Sequence, residues 1–353
     1  MTQLTAEEIH RRARAGDGDA QVMLARLFDK EGRHDVALGW LQRAADAGHG
    51  LAATFLGMRF LTAQAAPFAP LDGARYVFKG AEAGNAEAAG RAAVLAAAGV
   101  GRAVDWSQAL TWLQTAIKGG WADGEKQLRV LEAEAAFHGQ KRLDLAALAA
   151  TPPVTVLHED PRILAVERFA SPEACDWIAE RAKPRLEPAR TYNALKGGRD
   201  YNDIRTNTGT AFGLWNSDLV VQLMRARIAV AAGVDVARFE PVNVLHYDPG
   251  QQFDRHFDFI DPTVAHFAED LARRGQRTAT ALLYLNEGYE GGETEFPRLE
   301  LRHKGAKGDL MIFFNLDAEG RPDERTLHAG TPPTAGEKWV LSQWIRDKAQ
   351  PVI

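Results

Sequence analysis

Two residues with metal-binding chemistry stand two positions apart in the segment QQFDRHFDFID, residues 251–261. They are His256 and Asp258, and the segment has the composition of a β-strand. Alternate residues of a strand leave the same face of a sheet, so both side chains can turn toward one ion. The candidate for a third ligand is His328, in RTLHAGTPP. Two histidines and one carboxylate suit non-haem Fe(II), although zinc also accepts this set.

A lysine gives a second indication of the chemistry. Lys338 opens the strand KWVLSQW ten residues after the third candidate ligand, and it shares a face with Val340 and Trp344. A lysine directed into a mostly apolar barrel is costly unless it meets an anion. Tyr284, in TALLYLN, can add a hydroxyl to the same anion. The simpler interpretation is a lysine that extends from the strand end to water.

Short apolar strands must position these residues. They are rich in β-branched and aromatic residues and are bounded by Gly, Pro, Asn and Asp. Many antiparallel strands in one domain predict a sandwich or barrel. A helix is predicted to start at Ser171-Pro172-Glu173, and a second one covers about 217–232. The predicted strands are VNVLHYD, QFDRHFDF, RTATALLYLN, GGETEFP, DLMIFFN and EKWVLSQWI.

The first 150 residues have a different character, being alanine-rich and helical. The segments WLQRAADAG, YVFKGAEAG and WLQTAIKGG end at Gly48, Gly84 and Gly120, a spacing of 36. A period in the thirties made of two helices is typical of an α-solenoid, in which glycine ends the second helix of each pair. One generic helical bundle is the alternative. We therefore expect a multidomain chain with helical repeats over 1–135, a connector over 136–160 and a β-domain over 161–353.

Composition excludes several classes of function. The chain has 353 residues and a net charge of −5, and residues 1–150 contribute no net charge. It therefore has no basic field for nucleic acid and no feature of a membrane protein. The single cysteine, Cys175, rules out a disulfide within the chain and is expected in the core. With no secretory signal at the start, we expect a cytoplasmic protein.

Two known families share these patterns. Residues 16–135 resemble Sel-like repeats of the tetratricopeptide type. Residues 160–353 resemble the prolyl 4-hydroxylase branch of the Fe(II)/2-oxoglutarate dioxygenases. The second resemblance implies a double-stranded β-helix, a jelly-roll relative, with flanking helices. The matching segments are NDIRTNTGTAF, VLHYDPGQQFDRHFDF, GQRTATALLYLNEGYEGGETEFP, KGDLMIFFN and LHAGTPPTAGEKWVLSQWIRD.

The resemblance assigns a role to each site residue. It implies iron ligands at His256, Asp258 and His328. Contacts with 2-oxoglutarate fall to Lys338, Tyr284 and Tyr247, and O₂ and ascorbate are further implied cofactors. Arg277 and Trp344 match residues that line the catalytic pocket, and Arg205 matches a loop on the substrate side.

The chain departs from the family pattern at two positions that border the substrate pocket in the family. Phe253 replaces a usual tyrosine, and Arg346 replaces a histidine that eukaryotic members often have. The segment IDPTVAHFAEDLARRGQ, residues 260–276, is a candidate lid.

Three functions are compatible with the sequence. The first is a hydroxylase of prolyl or other residues in a protein or peptide, recruited by the repeats. The second is a hydroxylase of a small molecule, with the repeats used for assembly. The third, a scaffold without activity, is disfavoured by the complete set of site residues. A protein or peptide substrate is the expected partner, with neither nucleic acid nor membrane.

Overall fold

The computed structural model describes residues 4–150, 153–189, 191–193, 198–200 and 204–351. These residues form two compact units. The first contains the chain up to Arg129 together with Leu214–Gln222, and the second contains Val130–Gly213 and Leu223–Pro351. The domain limits expected from the sequence, at 135 and 160, stay a prediction. In the described part of the chain, each helix is too short or too polar to cross a lipid bilayer.

The first unit is a series of helical hairpins. Helices α3, α5 and α7 start at His34, Pro70 and Trp106, so the period of 36 is present in the structure and confirms the predicted repeats. Helix α8 starts in this unit and continues into the second. The helices are α1 (Ala6–Arg14), α2 (Gly18–Lys30), α3 (His34–Asp46), α4 (Gly50–Thr62), α5 (Pro70–Glu82), α6 (Ala86–Ala98), α7 (Trp106–Lys118) and α8 (Gly124–Phe137).

Glycine ends the second helix of each hairpin for a conformational reason. Gly48, Gly84 and Gly120 all have positive φ angles, between 81° and 91°, which residues other than glycine rarely adopt. Glycine also allows α4 and α5 to approach closely. A Cβ atom on Gly57 would lie 2.8 Å from the carbonyl oxygen of Gly73, so any larger residue would push the two helices apart.

The second unit contains an eight-stranded antiparallel sheet in the order β1-β2-β13-β9-β16-β7-β6-β3 and a four-stranded sheet in the order β12-β11-β14-β8. Two short pairs, β10-β15 and β4-β5, complete the described strands. The strands are β1 (Thr155–His158), β2 (Ile163–Val166), β3 (Glu187–Pro188), β4 (Thr191–Asn193), β5 (Gly198–Asp200), β6 (Thr208–Phe212), β7 (Val242–Tyr247), β8 (Phe253–His256), β9 (Arg277–Tyr284), β10 (Glu290–Gly291), β11 (Thr294–Phe296), β12 (Leu301–His303), β13 (Leu310–Phe314), β14 (His328–Gly330), β15 (Pro333–Ala335) and β16 (Lys338–Arg346). The helices are α9 (Leu145–Leu148), α10 (Pro172–Ala182), α11 (Leu219–Ala232), which begins in the first unit, and α12 (Ala268–Arg274).

The two large sheets share one apolar core. Ile163, Met311 and Val340 of the eight-stranded sheet are buried in a cluster with Phe296 of the four-stranded sheet. The rings of Phe296 and Phe313 meet edge to face with centres 5.1 Å apart. Two antiparallel sheets packed in this way form the expected double-stranded β-helix. The same unit also contains the predicted additional helices.

The structure also bears on the predicted helix start at Ser171 and the predicted burial of Cys175. Ser171 caps α10 by accepting a hydrogen bond from the main-chain N–H of Ala174, as the sequence predicts. Cys175 is fully buried in the core, and burial raises the pKa of its thiol. The sequence also predicts that the double proline Pro152-Pro153 stops a helix over 141–150, but Pro152 lies outside the described residues.

Candidate active site

The pairing of β8 with β14 brings two histidines together. His256 and His328 are register partners across these strands, and their ring centres lie 4.3 Å apart. Nδ1 of His256 lies 2.7 Å from the carbonyl oxygen of Asp254, and Nδ1 of His328 lies 3.0 Å from that of Thr326. A carbonyl oxygen only accepts, so both Nδ1 atoms donate. Each Nε2 atom therefore keeps a lone pair for a metal.

The carboxylate joins these histidines from outside the strand. β8 ends at His256, so the expectation that both ligands lie on one strand is wrong for Asp258. Its two oxygens nevertheless lie 3.6 Å from Nε2 of His256 and 3.6 Å from Nε2 of His328. The hydroxyl of Thr280 donates to Asp258 at 2.6 Å, and the amide of Asn315 donates to that hydroxyl at 3.3 Å. These bonds fix the carboxylate in place of strand geometry.

The protonation of the cluster is set by burial and by mutual attraction. Burial by itself raises the pKa of Asp258, but His328 and His256 outweigh it and hold the pKa far below its usual value. Burial and the neighbouring His256 lower the pKa of His328 to about 4. The carboxylate is thus charged and His328 is neutral at neutral pH, which are the forms that bind metal.

One divalent ion fits this arrangement. A ligand atom from each of His256, Asp258 and His328 lies within 4.8 Å of the other two. Two neutral imidazoles and one carboxylate form the facial set that suits Fe(II) and leaves coordination positions for other ligands. The structure therefore brings together the three residues that the sequence selected.

The triad lies in a cleft of the second unit. Apolar side chains form most of the cleft wall. The lining residues are Arg205, Leu245, Tyr247, Phe253, His256, Asp258, Leu282, Thr294, His328, Gly330, Lys338, Val340, Ser342 and Trp344.

Lys338 is the buried cation of this cleft. Only 3% of its surface is exposed, and it pairs in register with Tyr247, whose ring centre lies 5.4 Å from Nζ. Burial lowers the pKa of Lys338 to about 8, although the more distant Glu293 raises it. No described carboxylate forms an ion pair with Nζ within 4.0 Å. A buried cation in this state fits an anionic ligand.

Comparison with known proteins agrees with this site. The model of the 2OG-Fe(II) oxygenase superfamily matches residues 242–346. Prolyl 4-hydroxylase 1 of Arabidopsis thaliana is 33% identical over 208 residues, which are 55% of this chain and 72% of the relative. This chain belongs to the prolyl 4-hydroxylase family of 2OG-Fe(II) oxygenases. It is a dioxygenase that uses Fe(II), 2-oxoglutarate and O₂.

Two solved structures are similar to part of this chain. The viral collagen prolyl hydroxylase of Paramecium bursaria Chlorella virus-1 is 28% identical and covers 52% of this chain and 94% of its own, with a TM-score of 0.41. The Sel1 repeat protein of Oxalobacter formigenes is 25% identical and covers 36% of this chain and 54% of its own, with a TM-score of 0.33.

Two of the expected cosubstrate contacts occupy different places in the dioxygenase. Tyr247 lines the cleft, and burial raises the pKa of its hydroxyl to about 12. Tyr284 is fully buried and is not among the lining residues. Its hydroxyl shares a hydrogen bond of 3.1 Å with the hydroxyl of Thr294, which does line the cleft. A contact between Tyr284 and the cosubstrate stays a prediction, and Thr294 becomes a candidate for the same contact.

Arg277 and Trp344 form a stacked pair. The guanidinium carbon lies 3.7 Å from the centre of the Trp344 ring, and only Trp344 is among the lining residues. Glu240 binds the same guanidinium through two hydrogen bonds of 2.8 and 3.1 Å. Trp344 thus lines the cleft, and Glu240 neutralises the charge of the arginine that stacks on its ring.

The structure corrects the expectation for Arg346, which was placed at the border of the substrate pocket. Arg346 is 2% exposed and is not among the lining residues. It binds Glu240 at 2.6 Å and Asp270 of α12 at 2.9 Å. The second departure lies where it was expected, since Phe253 lines the cleft and stacks on His256 with ring centres 3.4 Å apart. Arg205 covers the Phe253 ring at 4.4 Å.

Three residues that orient side chains of the site were not predicted from the sequence. Thr280, Asn315 and Glu240 hold Asp258 and Arg277 through the hydrogen bonds given above. A polar residue at an inward position of an apolar strand is a usable signal, and Thr280 in RTATALLY has it. The candidate lid contains α12, and its role as a lid stays a prediction.

Proposed function

We propose that this dioxygenase hydroxylates an amino-acid side chain, prolyl or other, in a protein or peptide. His256, Asp258 and His328 hold the Fe(II), and Lys338 binds the distal carboxylate of 2-oxoglutarate. The kinship with a prolyl 4-hydroxylase, at 33% identity over 72% of that relative, is the observation that carries the proposal. The metal triad and the buried lysine in one cleft support it.

Fe(II) held by the triad would supply the oxidation with 2-oxoglutarate and O₂, so that one oxygen atom is inserted into a substrate C–H bond to give C–OH and the other enters succinate as CO₂ is lost. The chain supplies geometry and charge. Main-chain carbonyls accept from Nδ1 of both imidazoles, which leaves each Nε2 able to bind the ion, and Thr280 fixes Asp258. Lys338 matches the charge of the cosubstrate in an apolar wall, where the attraction is stronger than in water.

Trp344 and Phe253 are proposed to receive the substrate side chain. Both are aromatic residues that line the cleft beside the triad. Arg277 acts as a positioning residue, because it stacks on the indole and is itself held by Glu240. Such a flat aromatic wall suits an apolar side chain such as that of proline.

The helical repeats are proposed to bind the protein substrate. Repeats of this type present a long surface suited to another chain. The candidate residues for chemistry all lie beyond residue 200 in the sequence, so the repeats contribute recognition and not catalysis.

Mass spectrometry tests the proposal. Peptide libraries with and without proline and a proteome extract are incubated with the enzyme, Fe(II) and 2-oxoglutarate. The expected product gains one oxygen atom on one residue type, and Asp258→Ala, the control, gives none. Oxygen incorporation only into free amino acids or other small molecules would reject a protein substrate and favour the small-molecule hydroxylase.

A further inference from the structure

A short piece of the chain belongs to the repeat unit although its neighbours in sequence do not. Residues up to Gly213 belong to the second unit, Leu214–Gln222 belong to the first, and the chain returns to the second at Leu223. This piece follows β6 and forms a turn over residues 214–216 that leads into α11. It therefore reaches the repeats as a non-helical segment and not as one of their helices.

Leu214 is the apolar anchor of this segment. It is 8% exposed and belongs to a buried cluster otherwise made of repeat residues from α4 to α7. Ala81, Ala88 and Ala116 are among its members. Larger residues such as Phe78 and Leu95 belong to the same cluster, so Leu214 is part of the close-packed interior of the repeat unit.

Two polar side chains of the repeats bind the main chain of the same segment. Arg91 of α6 donates to the carbonyl oxygen of Trp215 at 2.8 Å. Gln127 of α8 accepts a hydrogen bond of 3.2 Å from the N–H of Leu219 through its side-chain oxygen. Leu219 is the first residue of α11, so its N–H has no partner within that helix. Gln127 is 2% exposed, so this hydrogen bond lies in the protein interior and not at its surface.

We propose that Arg91, Gln127 and the apolar cluster around Leu214 form a peptide-binding site on the repeats, and that its ligand is the protein's own segment 214–219. Leu214 packs into the apolar cluster, and the two side chains bind main-chain groups of Trp215 and Leu219, which follow it. The site is therefore expected to bind a peptide that starts with leucine and forms a turn leading into a helix.

The site has a consequence for the catalytic unit through the chain itself. Arg205, which lines the cleft, precedes Leu214 by nine residues, and β6 lies between them. Holding residues 214–219 thus restrains one end of the stretch that carries Arg205. It also means that a substrate protein bound by the repeats uses another face or displaces this segment. The inference does not depend on the proposed hydroxylation, since its tests measure no turnover.

Hydrogen exchange in the full-length protein tests the main-chain contacts. In Gln127→Ala, the amide of Leu219 should exchange about five-fold faster, the factor expected for one neutral hydrogen bond. Arg91→Ala removes the bond to the carbonyl oxygen of Trp215, so the segment should open more often and the amides of residues 215–219 should exchange a few-fold faster. Arg129→Ala is the matched control, because that arginine lies on the same helix with a 65% exposed side chain, and it should change nothing there. Equal exchange in all three variants and the wild type would overturn the proposal.

Peptide binding tests whether the site recognises this segment as a ligand. A fluorescent synthetic peptide of residues 213–222 should not bind the wild type, because the tethered segment is present at an effective concentration in the millimolar range. It should bind Leu214→Asp, whose charged side chain leaves the pocket, and not Leu214→Asp/Arg91→Ala. Leu214→Ala serves the same purpose should the aspartate variant fail to fold. A folded Leu214 variant that does not bind the peptide overturns the proposal, as does equal binding with Arg91 removed.

Discussion

Thr280 is the residue on which the orientation of the only carboxylate ligand depends. Its hydroxyl donates to Asp258 at 2.6 Å, and no strand geometry holds that side chain. Thr280→Val removes the hydroxyl while keeping the shape, and we expect metal affinity to fall by about 10–100-fold, as for other groups that orient ligands. Equilibrium metal binding and succinate formation measure the effect.

Two variants bracket this prediction. Thr280→Ser keeps the hydroxyl and should keep affinity within a few-fold of the wild type. Asp258→Ala removes the ligand and should abolish succinate formation. Wild-type metal affinity in Thr280→Val would show that the hydrogen bond does not position the carboxylate.

Lys338 separates cosubstrate binding from metal binding. Removing one partner of a buried ion pair costs about 3–5 kcal/mol. At about 1.4 kcal/mol per decade, Lys338→Met should weaken 2-oxoglutarate binding by roughly two to nearly four orders of magnitude. Metal binding should stay unchanged, because the lysine is not one of the proposed ligands. Calorimetry under anaerobic conditions measures both, and unaltered 2-oxoglutarate affinity would contradict the assignment.

The same lysine predicts a pH dependence. The pKa of Lys338 in the free enzyme is lowered to about 8 by burial, and the charged form binds the cosubstrate. Above pH 8 binding must therefore take up a proton, and the dissociation constant should rise by up to about ten-fold per pH unit. Below pH 7 the lysine is already charged and this dependence should vanish. Titrations between pH 6.5 and 9 with Mn(II) as the metal, about 2–3 points per unit, check the slope, and Lys338→Met should lack it.

At the scale of elements, Glu240 ties β9, β16 and α12 together. It binds Arg277 and Arg346, and Arg346 in turn binds Asp270 of α12. Glu240→Gln leaves the buried guanidinium of Arg346 and the partly buried one of Arg277 without this anion, so we expect a loss of about 3–5 kcal/mol in the free energy of unfolding. Urea denaturation measures it. Asp176→Asn, which breaks the exposed pair with Lys307, is the control and should cost about 0–1 kcal/mol.

The stabilisation by Glu240 also depends on pH. Burial raises its pKa, but Arg277 and Arg346 outweigh burial and lower the pKa to about 2. A carboxyl group with a depressed pKa stabilises the fold above its ordinary value of about 4.3 and loses that contribution as the pH falls toward 2. The difference in stability between wild type and Glu240→Gln should therefore shrink over this acidic range. A constant difference would contradict the role given to the charge.

At the scale of the whole molecule, the last helix of the repeats also serves the catalytic unit. Glu134 of α8 is 1% exposed, accepts from the N–H of Ser171 at 2.7 Å and binds the buried Arg227. A chain that starts at Val154 leaves Arg227 without its anion, whereas one that starts at Gly124 keeps the pair. We expect the shorter chain to be less stable by about 3–5 kcal/mol.

Comparing these two shortened chains isolates residues 124–153, because both lack the remaining repeats. Urea denaturation gives the difference, and full-length Glu134→Gln, measured beside the wild type, should reproduce most of it. Equal stability of the two chains would place the structural boundary after the connector, and the same chains then report whether loss of the repeats raises KM for a protein substrate.

The sequence by itself determined the chemistry and the architecture of this dioxygenase. The resemblance of residues 160–353 to the dioxygenases implied an iron site at His256, Asp258 and His328 with an anionic cosubstrate at Lys338, and the period of 36 predicted the repeats. The matching segments are runs of consecutive residues and a helical repeat returns at a fixed interval, so both are visible without the fold. The helix cap at Ser171 was predictable for the same reason.

Only the tertiary structure decided which groups meet across long stretches of chain. It placed Asp258 beyond its strand and gave Thr280 the task of holding it, and it turned Arg346 away from the cleft toward Glu240. It also placed Leu214 among the repeats, which nothing near that residue in the sequence predicted. Such contacts depend on strand register and on the competition of buried charges for counter-ions. Both are determined only when distant segments pack, because a buried charge pairs with the oppositely charged group that the folded chain places beside it.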